Sequence, residues 1–240
     1  MSDSARRRSR ERLEERERII LDAATELFAS AGFHGTSTRR IAAAAGVSEG
    51  TVFHYFGSKN ELMLGILDRF YNSVLNPRAA SIIDTVMGTR ERLRELALHH
   101  VRSLAADNAL MLRLLQVYVG VDLEFLGAAQ DSPLRGLNRR YVTYLDRVVR
   151  EGMERGDLRG DLDIRATRDL FFGTLEYGLR TRMHHRGEDG LETYVYTLLE
   201  PVWRGLSGTS TAAAASDAMA HRLEAVCQRL ESLAESLPPP

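Results

Sequence analysis

Residues 37–59 read STRRIAAAAGVSEGTVFHYFGSK, and no other stretch restricts the fold as strongly. Two short helical patterns flank a Gly46-Val47 turn. Ser37 suits an N-cap, because its hydroxyl accepts from an orphan backbone N–H at a helix start. Ile41 and Ala45 lie four apart and give the first helix a buried stripe. The small residues Ala42 to Ala45 let a second helix approach closely. Gly46 takes the φ > 0 position that ends a helix. Val47 is the apolar residue of the turn, and Ser48 caps the next helix. On a wheel of 100° per residue, Val52 and Phe56 point toward the first helix, whereas Gly50, Thr51, Phe53 and His54 point away. A helix this short does not stand alone. Packing on its partner must hold it, which leaves the outer face free for a groove.

The pattern is that of a helix-turn-helix. An ordinary αα-hairpin with a solvated face shares it, but explains Gly50, Phe53 and His54 poorly. An exposed Gly weakens a helix, and an exposed Phe leaves apolar surface in water. Both residues make sense where backbone and ring must approach DNA.

From about Arg16 to Leu62, the pieces IILDAATELFASAGFHGTST, IAAAAGVSEGTVFHYF and SKNEL resemble the DNA-binding domain of TetR-family transcriptional regulators. The resemblance implies an all-α fold: an N-terminal three-helix helix-turn-helix domain plus a larger α-helical ligand-binding and dimerisation domain. It places Thr38, Tyr55 and Lys59 at phosphate-contacting positions. Arg39, with Arg40 beside it, falls where family members reach a base or a phosphate. Glu49, Gly50, Thr51, Phe53 and His54 match the groove-facing places of the recognition helix, with Ser48 at its cap. The Thr51 methyl suits a thymine, and Glu49 can accept from a cytosine amino group. Glu49 equally suits the helix N-terminus through the dipole alone. Phe53 stands where the family frequently has Tyr, so any contact it makes is apolar. Phosphate contacts supply affinity, and base contacts supply sequence choice.

The net charge is −1, so a basic DNA-binding element must be local. Residues 5–18 hold seven Arg and four Glu. Arg6, Arg7 and Arg8 suit either a disordered solvated tail or a phosphate-contacting arm that orders on binding. The single Cys, Cys227, allows no intramolecular disulfide and suits a reducing cytoplasm. It has no Cys or paired His nearby for a metal site. The charged N-terminus lacks the apolar segment of a signal peptide, and no apolar run approaches a bilayer span. The sequence therefore predicts a cytoplasmic protein without membrane contact, metal or cofactor.

Helical periodicity dominates the chain. The domain reading is a disordered basic arm over 1–12, the helix-turn-helix domain over 13–60, the ligand-binding and dimerisation domain over 61–206, and a linker with a C-terminal amphipathic helix over 207–240. The first helix runs from about Glu11 to Ala31, with Ile20, Ala23, Ala24, Leu27 and Phe28 as its core stripe. Ser58 caps a connecting helix that presents Leu62, Ile66, Leu67 and Phe70. Asn76-Pro77 reads as a break. Further helices are expected near 89–106, 108–127, 133–155, 163–185 and 189–206, separated by Gly and Pro signals, with Asp163 as a cap.

The helix near 163–185 presents Leu170, Phe171, Leu175, Gly178, Leu179 and Met183. The next presents Leu191, Tyr194, Val195, Leu198, Leu199, Val202 and Trp203. These stripes serve either a dimer interface or the monomer core. The resemblance favours a homodimer, and two copies reading two half-sites also give specificity that one short helix lacks. Beyond a Ser/Gly/Thr/Ala-rich linker, Met219, Leu223, Val226, Leu230, Leu233 and Leu237 form a short heptad seam. That seam fits packing on its own domain or pairing between subunits.

The resemblance further implies a small-molecule effector, apolar or amphipathic, inside the second domain. Candidate pocket residues are Met111, Leu115, Tyr118, Phe125, Tyr144, Phe172 and Tyr177. Effector binding would shift the connecting helix and release a palindromic double-stranded DNA operator, the behaviour of a repressor. The competing classes are a DNA-binding architectural protein without an effector and an all-α enzyme. Against the enzyme, there are no catalytic candidates: no nucleophile elbow, phosphate-binding Gly loop or HExxH. The pairs His99-His100 and His184-His185 are adjacent, so their members do not share a helix face.

Overall fold

The computed structural model describes residues 3–106, 133–183 and 190–208, and every regular element among them is helical. Helix α1 (Asp3–Ala31) packs on α2 (Thr38–Ala44) and on α4 (Lys59–Arg69), with α3 (Glu49–Phe56) between them in sequence. The three serines expected as caps all serve. Ser37 accepts from the Arg40 amide, Ser48 from Thr51 and Ser58 from Glu61. Each such cap contributes about 1 kcal/mol. Gly46 has φ +66°, the left-handed conformation that a side chain resists, and it turns the chain from α2 into α3.

Ile20, Ala24 and Phe28 of α1 meet Ile41 of α2, Val52 and Phe56 of α3, and Leu62 and Ile66 of α4. Complete burial of Phe28 alone stabilises the domain by about 2–3 kcal/mol. Helices α1 and α4 run antiparallel. Phe33, just past α1, lies against Lys59 at the start of α4, and Asp22 pairs with Arg69 at its end, 2.7 Å apart. Residues 3–12, expected as a disordered arm, are instead the first turns of α1. Pairs such as Arg7–Glu11 and Arg10–Glu14 line its surface. Arg6, Arg7 and Arg8 lie at the N-terminal end of α1, remote from the α1–α2 loop.

A π-helical turn, Phe70–Leu75, joins α4 to α5 (Asn76–Thr85). Asn76-Pro77 is therefore not a break. Pro77 occupies the first turn of α5, where its missing N–H has no intrahelical partner to lose. His99 closes the π-turn by donating from Nε2 to the Leu75 carbonyl at 3.0 Å. A carbonyl only accepts, so the proton sits on Nε2. Nδ1 then accepts from Ser103 at 3.3 Å. Burial, the largest cause, holds the His99 pKa below the usual histidine range and keeps the ring neutral.

Helices α6 (Thr89–Ala106), α7 (Pro133–Glu154), α8 (Ile164–Met183) and α9 (Leu191–Ser207) follow among the described residues of the second domain. Asp163 accepts from the Ala166 amide, as expected of a cap. The core continues without interruption from the first domain through α4 and α5 into Leu96, Leu104, Leu145, Val148, Leu175 and Val195. The apolar stripes of α8 and α9 divide. Phe171, Leu175, Leu179, Val195, Leu199 and Val202 are buried in the monomer, while Leu170 is 46% exposed. Gly178 lets α8 close on α9, because a Cβ there would collide with the Leu198 side chain. The helix expected near 108–127, the 207–220 linker beyond Gly208 and the heptad seam lie outside the described residues.

Candidate functional site

The outer face of α3 is built as the wheel reading expects. Val52 and Phe56 are buried against α1, α2 and α4. Gly50, Phe53 and His54 are exposed, Phe53 by 47%, and Thr51 is half-buried. Gly50 is the informative residue. Its φ is not positive, and a Cβ placed on it would touch only the Ser48 Oγ, at 3.8 Å. Among the described residues nothing in the packing requires glycine there, and in mid-helix a glycine costs about 0.5–1 kcal/mol. The clearance it creates lies on the exposed face of α3.

Other expected contact residues are engaged within the protein. The Thr38 hydroxyl donates to Glu49 at 2.6 Å, tying α2 to the start of α3. Ser48 and Thr51 hydroxyls lie 2.8 Å apart. Arg39 and Arg40 are exposed on α2, with Arg40 donating to the Gly35 carbonyl. The Tyr55 hydroxyl points inward. It is buried without a hydrogen-bond partner among the described residues, so in this arrangement it does not share the exposed face.

Lys59 is also turned inward. Its ammonium donates to the carbonyls of Phe33 (2.9 Å) and Thr36 (3.1 Å) and lies 4.3 Å from the Phe33 ring centre. Desolvation lowers its pKa from the usual lysine value. Thr36, which sequence reasoning passed over, is buried and donates to the Leu27 and Gly32 carbonyls. Together they fix the loop from which α2 starts. Lys59→Met should therefore lower unfolding free energy by about 1–2 kcal/mol, since two carbonyls lose a charged donor. Urea denaturation checks this. An unchanged midpoint would mean that the ammonium makes no net contribution to the fold.

In the second domain, Phe172 and Tyr144 are half-buried, and both pack beside Tyr141. Tyr177, expected in a pocket, is 65% exposed on α8 with Arg180 over its ring. It faces outward because Leu175 and Leu179, two residues to either side, take the buried face. Met111, Leu115, Tyr118 and Phe125 lie outside the described residues. Among the described residues no group of three His, Cys, Asp or Glu side chains is placed to hold a metal. No helix among them is long and apolar enough to cross a membrane.

Comparison with known proteins agrees with this architecture. Residues 20–66 match the family model for bacterial regulatory proteins of the tetR family, and residues 77–181 match the C-terminal region of YsiA-like proteins. The chain is 26% identical to the fatty acid metabolism regulator protein of Bacillus subtilis, over 68% of this chain and 80% of that protein. It is also 26% identical to the transcriptional repressor KstR2 of Mycobacterium tuberculosis, over 60% and 70% of the two chains. The crystal structure of the regulator FadR from Bacillus subtilis in complex with stearoyl-CoA superposes with a TM-score of 0.67. That match has 24% identity and covers 78% of this chain and 98% of that one. The two matched regions and the similarity to these regulators make this chain a member of the TetR family of DNA-binding transcriptional regulators, of the YsiA-like branch, and not an enzyme.

Proposed function

We propose that the protein is a homodimeric cytoplasmic repressor that occupies a palindromic operator through α3 and leaves it on binding a long-chain acyl-CoA. The observation that carries the DNA reading is the outward clearance at Gly50, flanked by exposed Phe53 and His54. Arg39 and Arg40 are exposed on α2, and Thr51 is half-buried on α3. The effector class follows from the relatives, one of which regulates fatty acid metabolism and another of which holds stearoyl-CoA. Dimerisation is supported by Leu170 and Tyr177, seven residues apart on α8, which are 46% and 65% exposed in the monomer. A two-fold pair places two recognition helices on two half-sites.

Helix α4 is the natural lever. Its N-terminal end holds the α1–α2 loop through Lys59, and its C-terminal end runs into the π-turn among α5, α6 and α7. Single-turn π segments recur at functional sites. An effector that favours one arrangement of this junction shifts the population between DNA-competent and DNA-incompetent spacings.

The test is selection of bound DNA from a random pool, followed by titration of the complex with stearoyl-CoA. The expected result is a palindromic site whose occupancy falls as stearoyl-CoA rises. A site without two-fold symmetry would count against the dimer. Occupancy indifferent to acyl-CoA would favour an architectural DNA-binding protein or a different effector.

A further inference from the structure

A cavity of about 410 Å³ in the second domain is lined by His100, Tyr141, Phe172, Glu176, Tyr71 and Arg168, among others, a size that suits a small-molecule site. His100 is 5% exposed, and its Nε2 is buried with no hydrogen-bond partner among the described residues. Its other nitrogen, Nδ1, lies 3.3 Å from the Tyr141 hydroxyl. Tyr141 is itself buried, and desolvation, the leading cause, pushes its pKa far up, so the phenol keeps its proton. That proton needs an acceptor, and Nδ1 is the one beside it. With Nδ1 accepting, the ring's own proton lies on Nε2. The Glu176 carboxylate, 3.4 Å from Nε2 but not hydrogen-bonded to it, favours the same tautomer. The result is a buried N–H donor without a hydrogen bond among the described residues, on a ring that lines the cavity. Leaving such a donor unpaired is unfavourable, and a bound acceptor removes the penalty.

The acceptor's chemistry is restricted. Glu176 and Asp169 line the same cavity and repel a carboxylate or phosphate. Arg168, the cation there, is committed to Asp146 through both carboxylate oxygens. The neighbouring walls are aromatic, with the Phe172 ring 4.9 Å from the His100 ring and Tyr71 6.1 Å from Tyr141. A neutral oxygen attached to an apolar body fits. We propose that the His100 Nε2–H anchors the thioester carbonyl of a long-chain acyl-CoA, with the acyl chain against the aromatic wall and the CoA phosphates outside. This rests on the acyl-CoA reading above. Tyr71 belongs to the π-turn at the end of α4, so an occupied cavity touches the lever directly.

The test is calorimetric titration of the full chain with stearoyl-CoA and with S-octadecyl-CoA, the thioether that lacks only the carbonyl oxygen. Wild type should bind the thioester about 10-fold more tightly, the worth of one hydrogen bond to a buried donor. His100→Leu should bind the two equally, and His100→Gln, which keeps an N–H donor, should retain part of the preference. Equal affinity of both ligands for wild type would overturn the anchor while leaving the acyl-CoA reading intact. A preference that persists in His100→Leu would also overturn it. If neither ligand binds wild type, the acyl-CoA reading fails and the anchor with it. The wild-type comparison requires no variant, so a leucine variant that fails to fold leaves the proposal exposed to refutation.

Discussion

Replacing Thr51 and His54 together by alanine is expected to weaken operator binding about a thousandfold while leaving the fold intact. Both residues lie on the free face of α3, outside the core that Val52 and Phe56 join. A lost base contact costs about 1–3 kcal/mol per site. Two residues in two half-sites remove four contacts, and at the low end of that range the sum is about 4 kcal/mol. The structural cost is smaller. Thr51→Ala loses a hydroxyl contact with Ser48 at 2.8 Å, but the Ser48 cap on the Thr51 amide remains. Fluorescence anisotropy at fixed salt, on DNA selected with wild type, measures the effect. Affinity for random duplex should barely change, because phosphate contacts dominate it. A specific affinity within 10-fold of wild type would move the reading of bases to other residues, Arg39 and Phe53 first.

The helix-turn-helix was legible because its signals are local. Ser37, Ser48 and Ser58 cap helices three residues ahead, and Gly46 turns the chain within a single loop. Each depends on neighbours that a short window contains. Pro77 misled because proline is compatible with both a break and a first helical turn. Only the preceding residues, wound into a π-turn and held by His99, decide between them. The stripes of α8 and α9 were read correctly as apolar, but periodicity reports burial without naming the partner. The monomer takes Phe171, Leu175 and Val195 and leaves Leu170 and Tyr177.

Long-range side-chain pairings were not legible. Lys59 had the position of a phosphate contact, yet its nearest acceptors are the Phe33 and Thr36 carbonyls, brought close by the antiparallel packing of α1 and α4. In the sequence the histidines at 99 and 100 read only as an adjacent pair that does not share a helix face. Adjacent residues point in different directions along a helix, and the two rings accordingly do separate work. His99 reaches the π-turn, and His100 reaches Tyr141 and the cavity. No pattern within either segment announces the other.

Arg168→Met is expected to destabilise the protein by about 3 kcal/mol and to lower the thermal midpoint by roughly 6–12 °C. Asp146 is 2% exposed on α7 and receives two nitrogens of the Arg168 guanidinium from α8. Methionine preserves much of the side-chain bulk but leaves the carboxylate buried, with Arg150 at 3.6 Å as its remaining cation. Removing one partner of a buried pair costs about 3–5 kcal/mol; Arg150 places this case at the lower end. Replacing both charges, Asp146→Leu with Arg168→Met, should recover most of the loss, since an apolar pair has no ion to desolvate. Urea denaturation of the two single variants and the double variant completes the cycle. A double variant as unstable as the sum of the singles would show that the pair is not coupled. A recovered double variant would locate the contribution of the ion pair in the joining of α7 to α8, the two helices that carry Tyr141, Phe172 and Glu176 and so set the shape of the cavity beside His100.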